Sequence, residues 1–232
     1  MSEITSGPAT PRHREISWIG EEKSCTVLEV YKNKIIIGWN NGQIKIYNSD
    51  NLSCETVLSY AGCEVTCLQS TGTEIIAGYG DGKISVWNIP QALFMLNLSM
   101  ENGSCGKDFP TSMRWSDPKL VVATAHSRIR IWHLISSFTL VGSWDAGDCH
   151  VREVGFNENY VILGPSCAAE SVKIHDFNGN KIRSISSSVG ILQMAVHRDR
   201  LITCNRRGMV EIWDISTGGC LQELKERGMY ML

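Results

Sequence analysis

The chain has 232 residues, 43% hydrophobic and 20% charged, enough to bury the core of one large all-β domain or two small ones. Its 22 basic and 24 acidic residues leave a formal charge of -2, which excludes a global field that would gather nucleic acid or an anionic membrane. With 21 glycines, only 6 prolines and no apolar run near the roughly 18 residues that span a bilayer, the composition excludes a disordered, collagen-like or membrane-spanning chain.

Residues 1–14 are rich in Ser, Thr and Pro, carry Arg12, His13 and Arg14, and lack the apolar core of a secretory signal. They read as a disordered tail on a cytoplasmic or nuclear protein, with Thr10 before Pro11 as a candidate phosphate acceptor. The 9 cysteines, odd in number and embedded in apolar runs, argue for reduced thiols rather than a disulfide framework. Residues 15–232 read as one folded domain. At its start Glu15 to Ile19 alternates and predicts an outer strand that latches onto the far end of the domain.

Five copies of one pattern follow: IIIGWNNGQIKIYN, IIAGYGDGKISVWN, VVATAHSRIRIWH, VILGPSCAAESVKIHD and LITCNRRGMVEIWD. Each joins an apolar run, a polar or glycine turn, and an alternating strand that ends in an aromatic-plus-polar pair. The pairs are Tyr47-Asn48, Trp87-Asn88, Trp132-His133, His175-Asp176 and Trp213-Asp214, at intervals of 40, 45, 43 and 38 residues. Within the alternating strands Ile44 and Ile46, Ile84 and Val86, Ile129 and Ile131, Val172 and Ile174, and Val210 and Ile212 share one face. Lys45, Ser85, Arg130, Lys173 and Glu211 share the other. Period two between turn signals such as Asn41-Gly42 and Asp81-Gly82 is the hairpin signature.

A short apolar strand precedes each hairpin, at Thr26 to Val30, Val65 to Gln69, Ser112 to Trp115, Val151 to Phe156 and Leu192 to His197. A more exposed one follows, as at Glu55 to Ser59, Thr139 to Ser143 and Leu221 to Leu224, giving four antiparallel strands per unit. The segment Gly228 to Leu232 sits where a sixth unit would begin. That pattern predicts a shortened form of a longer ring, a ring completed by another chain, or five units closing on themselves.

These units resemble the WD40 repeat family, best in Leu201 through Leu221 and next in Asp81 through Asn88. The resemblance spans residues 22–232 and implies an all-β, WD40-like β-propeller of about five four-stranded blades, incomplete or opened by truncation. In that family a His before the first strand, a Ser or Thr in the second, an Asp in the tight turn and the third-strand Trp share hydrogen bonds. Here Asp81 alone fits the turn position, and Thr203 alone the second-strand hydroxyl. None of the units has the family's Gly-His pair, and His175 replaces the Trp of the fourth.

Candidate chemistry is sparse. The 6 histidines are scattered, with no HExxH motif or zinc spacing. Cys63 and Cys67, read as one strand, would share a face about 13 Å apart, too far to share a metal. Gly78 to Gly82 joins two strands rather than opening a helix, so it is a turn and not a phosphate loop. No catalytic, cofactor-binding or metal-binding residue is assigned.

The resemblance places ligand contacts on turns between second and third strands. The candidates there are Trp39 and Asn40, Tyr79, His126, and Asn205, Arg206 and Arg207. Aromatics between blades and solvated arginines account for the same residues, so both roles stay open. The function read from this is a non-catalytic protein–protein interaction scaffold or adaptor, with other proteins as partners and neither nucleic acid nor membrane. The alternative is a substrate-recognition subunit of a cullin-type ubiquitin ligase, similar to F-box/WD receptors over Trp213 to Leu224 but without an F-box; a propeller enzyme ranks third. Uncompleted edges predict self-association or a blade-completing partner.

Overall fold

The structure, a computed structural model, describes residues 24–60, 62–98, 108–134, 137–147, 151–165, 171–186, 191–205 and 207–224. The proposed tail, the strand expected at Glu15 to Ile19, the segment Gly228 to Leu232 and Arg206 lie outside the described residues.

Among the described residues, twenty strands form five four-stranded antiparallel sheets, each built from consecutive strands. The first sheet holds β1 (Cys25–Tyr31), β2 (Lys34–Trp39), β3 (Gln43–Asn48) and β4 (Cys54–Ser59). The second holds β5 (Val65–Ser70), β6 (Glu74–Tyr79), β7 (Ile84–Asn88) and β8 (Leu93–Leu98). The third holds β9 (Pro110–Ser116), β10 (Lys119–Thr124), β11 (Arg128–Leu134) and β12 (Phe138–Asp145). In the fourth are β13 (Val151–Phe156), β14 (Val161–Pro165), β15 (Val172–His175) and β16 (Lys181–Ile185). In the fifth are β17 (Gln193–His197), β18 (Arg200–Cys204), β19 (Val210–Asp214) and β20 (Cys220–Leu224). The fifth sheet thus fills its four places from its own stretch of chain. No helix among the described residues is long and apolar enough to cross a membrane.

The alternation of the third strands decides how the sheets stack. Ile44 and Ile46 join Ile36 and Leu58 against Val65, Ile75, Tyr79 and Trp87 of the second sheet. Ile84 and Val86 face Leu120, Val122 and Trp132 of the third. Ile129 and Ile131 meet Val151, Val161 and Leu163 of the fourth, and Val172 and Ile174 meet Leu201, Trp213 and Ile215 of the fifth. The core is therefore four successive sandwiches, each made from the forward face of one sheet and the rear face of the next. The first strands β1, β5, β9, β13 and β17 run along the inner side and touch their neighbours in order.

In four of the five aromatic-plus-polar pairs the polar member ends its strand or directly follows it, whereas His133 lies within β11. Asn48 Oδ1 accepts from Asp50 N at 2.9 Å, Asn88 Oδ1 from Gln91 N at 3.0 Å, Asp176 Oδ1 from Asn178 N at 2.9 Å, and Asp214 Oδ1 from Thr217 N at 2.9 Å. A short polar side chain that bonds the backbone just ahead of it turns the chain into the fourth strand.

Two devices seat each inner strand on the preceding sheet. First, the second strands carry a small residue at one matching position: Gly38, Gly78, Ala123 and Gly164. A Cβ on Gly38 would stand 2.7 Å from Val65 Cγ1, one on Gly78 2.9 Å from Pro110 Cβ, and one on Gly164 3.0 Å from Met194 Sδ. Second, β1, β5, β9 and β13 each bulge near their start, whereas β17 pairs in unbroken register. The bulge points Thr26, Thr66 and Thr111 at the next inner strand. Thr26 Oγ1 donates to Val65 O at 2.5 Å, Thr66 Oγ1 to Pro110 O at 2.6 Å, and Thr111 Oγ1 to Val151 O at 3.2 Å. The fourth bulge holds Arg152 instead, and there Glu153 Oε2 accepts from Met194 N at 2.8 Å.

The bulge corrects one expectation. Cys63 and Cys67 do not share a face: Cys63 packs between the first and second sheets and Cys67 between the second and third, because the extra residue at Thr66 shifts the alternation by one. Burial pushes the Cys67 thiol up to about 12, so it stays protonated and acts as a small apolar side chain.

Replacing Gly78 with Ala should lower stability in urea unfolding by about 2 kcal/mol, through overpacking against Cys67 and Pro110. Gly219→Ala, where a Cβ meets nothing nearer than 3.4 Å, should change stability by less than about 0.5 kcal/mol.

Candidate functional site

The turns between second and third strands in the first, second, third and fifth sheets lie at one end of the sheets and share a construction. Gly42 N bonds Trp39 O at 3.1 Å, Gly82 N bonds Tyr79 O at 3.0 Å, Ser127 N bonds Thr124 O at 3.0 Å and Gly208 N bonds Asn205 O at 3.1 Å. The donor residue is left-handed each time, with φ of 80°, 86°, 63° and 71°. At Gly42 a side chain is impossible as well as strained, because a Cβ would lie 2.4 Å from Tyr60 O.

The residue just before the inner strand braces the first three of these turns. Asn40 N donates to Ser24 O at 3.1 Å, Gly80 N to Glu64 O at 3.0 Å and Ala125 N to Phe109 O at 2.9 Å. Asp108 adds a side-chain brace: its Oδ1 accepts from His126 N at 3.0 Å and lies 3.4 Å from His126 Nδ1.

The candidate residues separate on these turns. Asn40, His126 and Arg207 are exposed and point to solvent from fixed backbones. Trp39 is 4% exposed and Tyr79 fully buried, each at the end of its second strand, so they serve packing rather than direct contact with a partner. Asn205 is buried too and holds its own turn, its Oδ1 accepting from Arg207 N at 3.0 Å and Met209 N at 3.1 Å.

Beside Tyr79 lies a group that sequence reasoning missed. The Tyr60 and Tyr79 rings sit 4.3 Å apart, the Tyr60 hydroxyl donates to Asp81 Oδ2 at 3.5 Å, and Lys83 Nζ lies 3.1 Å from the same carboxylate. The Tyr60 hydroxyl and Asp81 hold the Lys83 ammonium above its ordinary value. Tyr60 comes from the loop after β4, so only the stacking of the first sheet on the second brings it to Asp81.

Two buried polar networks anchor third-strand tryptophans. Trp213 Nε1 donates to Thr203 Oγ1 at 2.9 Å, the pairing expected from the last repeat, and Thr203 Oγ1 lies 3.4 Å from Glu211 Oε2. In the second sheet Ala77 stands where Thr203 stands in the fifth, and Trp87 Nε1 donates instead to Ser85 Oγ at 2.6 Å, with Tyr79 Oη 3.1 Å from that hydroxyl. In the fourth sheet His175 is buried with its ring centroid 4.8 Å from that of Trp144, and its Nδ1 has no hydrogen-bond partner among the described residues. Among the described residues no three His, Cys, Asp or Glu side chains gather where they could hold a metal.

No family model matches the sequence, and no curated protein matches it. Among solved structures the chain is similar to the computationally designed Ika8 protein, with a TM-score of 0.69 and 23% identity. The match covers 89% of this chain and 63% of the designed one, so the chain spans under two thirds of that protein's length. At this identity the likeness concerns the fold alone.

Thr203→Val should cost about 1–3 kcal/mol in equilibrium unfolding, because it leaves the buried Trp213 Nε1–H without its acceptor. His175 gives a pH signature. Burial holds its imidazole below the ordinary value; Lys173 and Lys181 add to the shift and Asp176 opposes it. The unfolded chain therefore binds this proton first as pH falls through about 6.5. The stability from keeping His175 neutral is complete above that value and is lost as pH drops toward the lower folded value. The thermal midpoint of the wild type should fall more steeply between neutral and mildly acidic pH than that of His175→Phe.

Proposed function

We propose that the five sheets are the blades of a WD40-like β-propeller, and that the chain is a non-catalytic scaffold that binds other proteins through the turns carrying Asn40, His126 and Arg207. The observation that carries this reading is the bracing of those turns: each exposed side chain stands on a backbone tied to its own strand and, at Asn40 and His126, to the segment before the inner strand. A side chain presented from a fixed backbone loses less conformational entropy on binding than one on a free loop. The forward-on-rear stacking of the sheets and the Trp213–Thr203 bond support the propeller reading. The described cysteines carry free thiols, which favours a reducing compartment, the cytoplasm or nucleus.

Self-association is a second reading, and an exposed face favours it. Leu28 and Val30 of β1 are 56% and 61% exposed, whereas Leu68, Met113 and Val154 on the matching side of the next three inner strands are buried against the preceding sheet. In this reading the rear side of β1 takes the forward face of a sheet from another chain.

Quantitative affinity capture with the wild-type chain and an Asn40→Ala, His126→Ala, Arg207→Ala variant tests the first reading. Specific partners should be retained by the wild type and reduced about tenfold by the variant. Recovery of a cullin-type ligase among them would favour the ubiquitin-receptor role, and a partner set unchanged in the variant would remove these turns from the interface. Sedimentation of Leu28→Lys against wild type tests the second: self-association should disappear in the variant, and a wild type that is monomeric throughout would end it.

A further inference from the structure

Three inner strands end around a cavity that the braced turns do not reach. Residues of β9, β13 and β17, with the turns that follow them, line a half-open recess of about 520 Å³. Because the strands of each sheet are antiparallel, this is the opposite end of the molecule from Asn40, His126 and Arg207. The floor is apolar: Val154 and Met194 come up from the inter-sheet clusters, and Val196 lies beside them. Gly155 keeps that floor open and close-fitting, since a Cβ there would stand 2.5 Å from Val196 Cγ2.

The wall is charged. Arg114, Lys119 and Arg198 line it against Asp117 and Glu158, and Glu29 lies within electrostatic reach of Arg114. Arg114 and Arg198 are exposed, and neither forms an ion pair with a described residue. The nearby Asp199 is already engaged, accepting from Asn157 Nδ2 at 3.1 Å. Lys119 is held aside with its Nζ 4.1 Å from the centre of the Phe177 ring.

We propose that this cavity is a docking site for an acidic peptide segment of a partner protein, which seats an apolar side chain on Val154, Met194 and Val196 and sets flanking carboxylates against Arg114 and Arg198. The volume lies within the range of about 300–1,000 Å³ that such recessed sites occupy. An apolar anchor with arginines at its margin is the composition that concentrates binding energy. Asp117 and Glu158 in the same wall oppose a dense polyanion such as nucleic acid, yet leave gaps for spaced carboxylates. This inference rests on the scaffold reading and assigns it a second, chemically distinct surface.

The test is selection of phage-displayed random peptides on the full-length chain, followed by fluorescence anisotropy of the selected peptides. Sequences with Asp or Glu on both sides of an aliphatic or aromatic residue should be enriched. Their affinity should fall about tenfold or more in an Arg114→Glu, Arg198→Glu variant and at high salt, and change less than about twofold in Arg207→Glu at the other end. Ala195→Trp, which fills the cavity from an exposed position at unchanged charge, should abolish binding while keeping the wild-type unfolding midpoint. Neutral or basic winners, no winners, or equal binding by the double variant and by Ala195→Trp would overturn the proposal. Equal binding, with partners still captured through the turns, would leave the scaffold reading standing.

Discussion

The closeness with which each inner strand approaches the preceding sheet governs the rest of the structure. Nothing larger than a methyl stands at Gly38, Gly78, Ala123 and Gly164, and at the three glycines the side chains of Val65, Pro110 and Met194 from the next inner strand rest directly on the backbone. That approach brings the threonines of the bulges within reach of the next strand's carbonyls and sets the isoleucine and valine faces against each other. A displacement of an ångström at one seat would break a hydrogen bond and open a gap in an apolar layer together, which ties the polar and apolar parts of each interface to one distance.

Much of this architecture is legible in the sequence, for a physical reason. A third strand whose alternate residues are all apolar can only lie with that side against another sheet, and in the first four sheets the residues so marked are those found between sheets, whereas Val210 and Ile212 of the fifth are half-buried. The aromatic-plus-polar pair is legible as punctuation, because the aromatic fills the rear face and the Asn or Asp turns the chain.

The bulges leave no such mark. One extra residue reverses the alternation, and no composition signal distinguishes Thr66 in a bulge from a threonine in a regular strand, which is why Cys63 and Cys67 look equivalent in sequence and separate in space. The Trp87 network is hidden likewise: its hydroxyl comes from Ser85 on the same strand rather than from the neighbouring one. Trp39 and Tyr79 look like contact residues because their sequence neighbours form an exposed turn, yet the last residue of a second strand points into the stack. The cavity was beyond sequence reasoning altogether, since Arg114, Phe156 and Arg198 meet only when three units stack in order.

The exchange of threonine for Arg152 has a mechanical consequence. At the bulges of the first three joints a side-chain hydroxyl bonds a backbone carbonyl, between groups that carry no net charge, although the first joint also has Gln69 Nε2 donating to Glu29 Oε2 at 3.3 Å. The fourth is closed by the Glu153 carboxylate on Met194 N, and its seat is occupied by the tip of a long, pliant side chain. A stack in which each sheet leans only on its neighbours behaves like links in series, and a load applied at its ends is borne equally by every link. Under tension the fourth joint is held by the Glu153 carboxylate on Met194 N and by Asn157 Nδ2 on Arg198 O and Asp199 Oδ1, so its resistance rests on carboxylates where the threonine bonds of the first three joints do not.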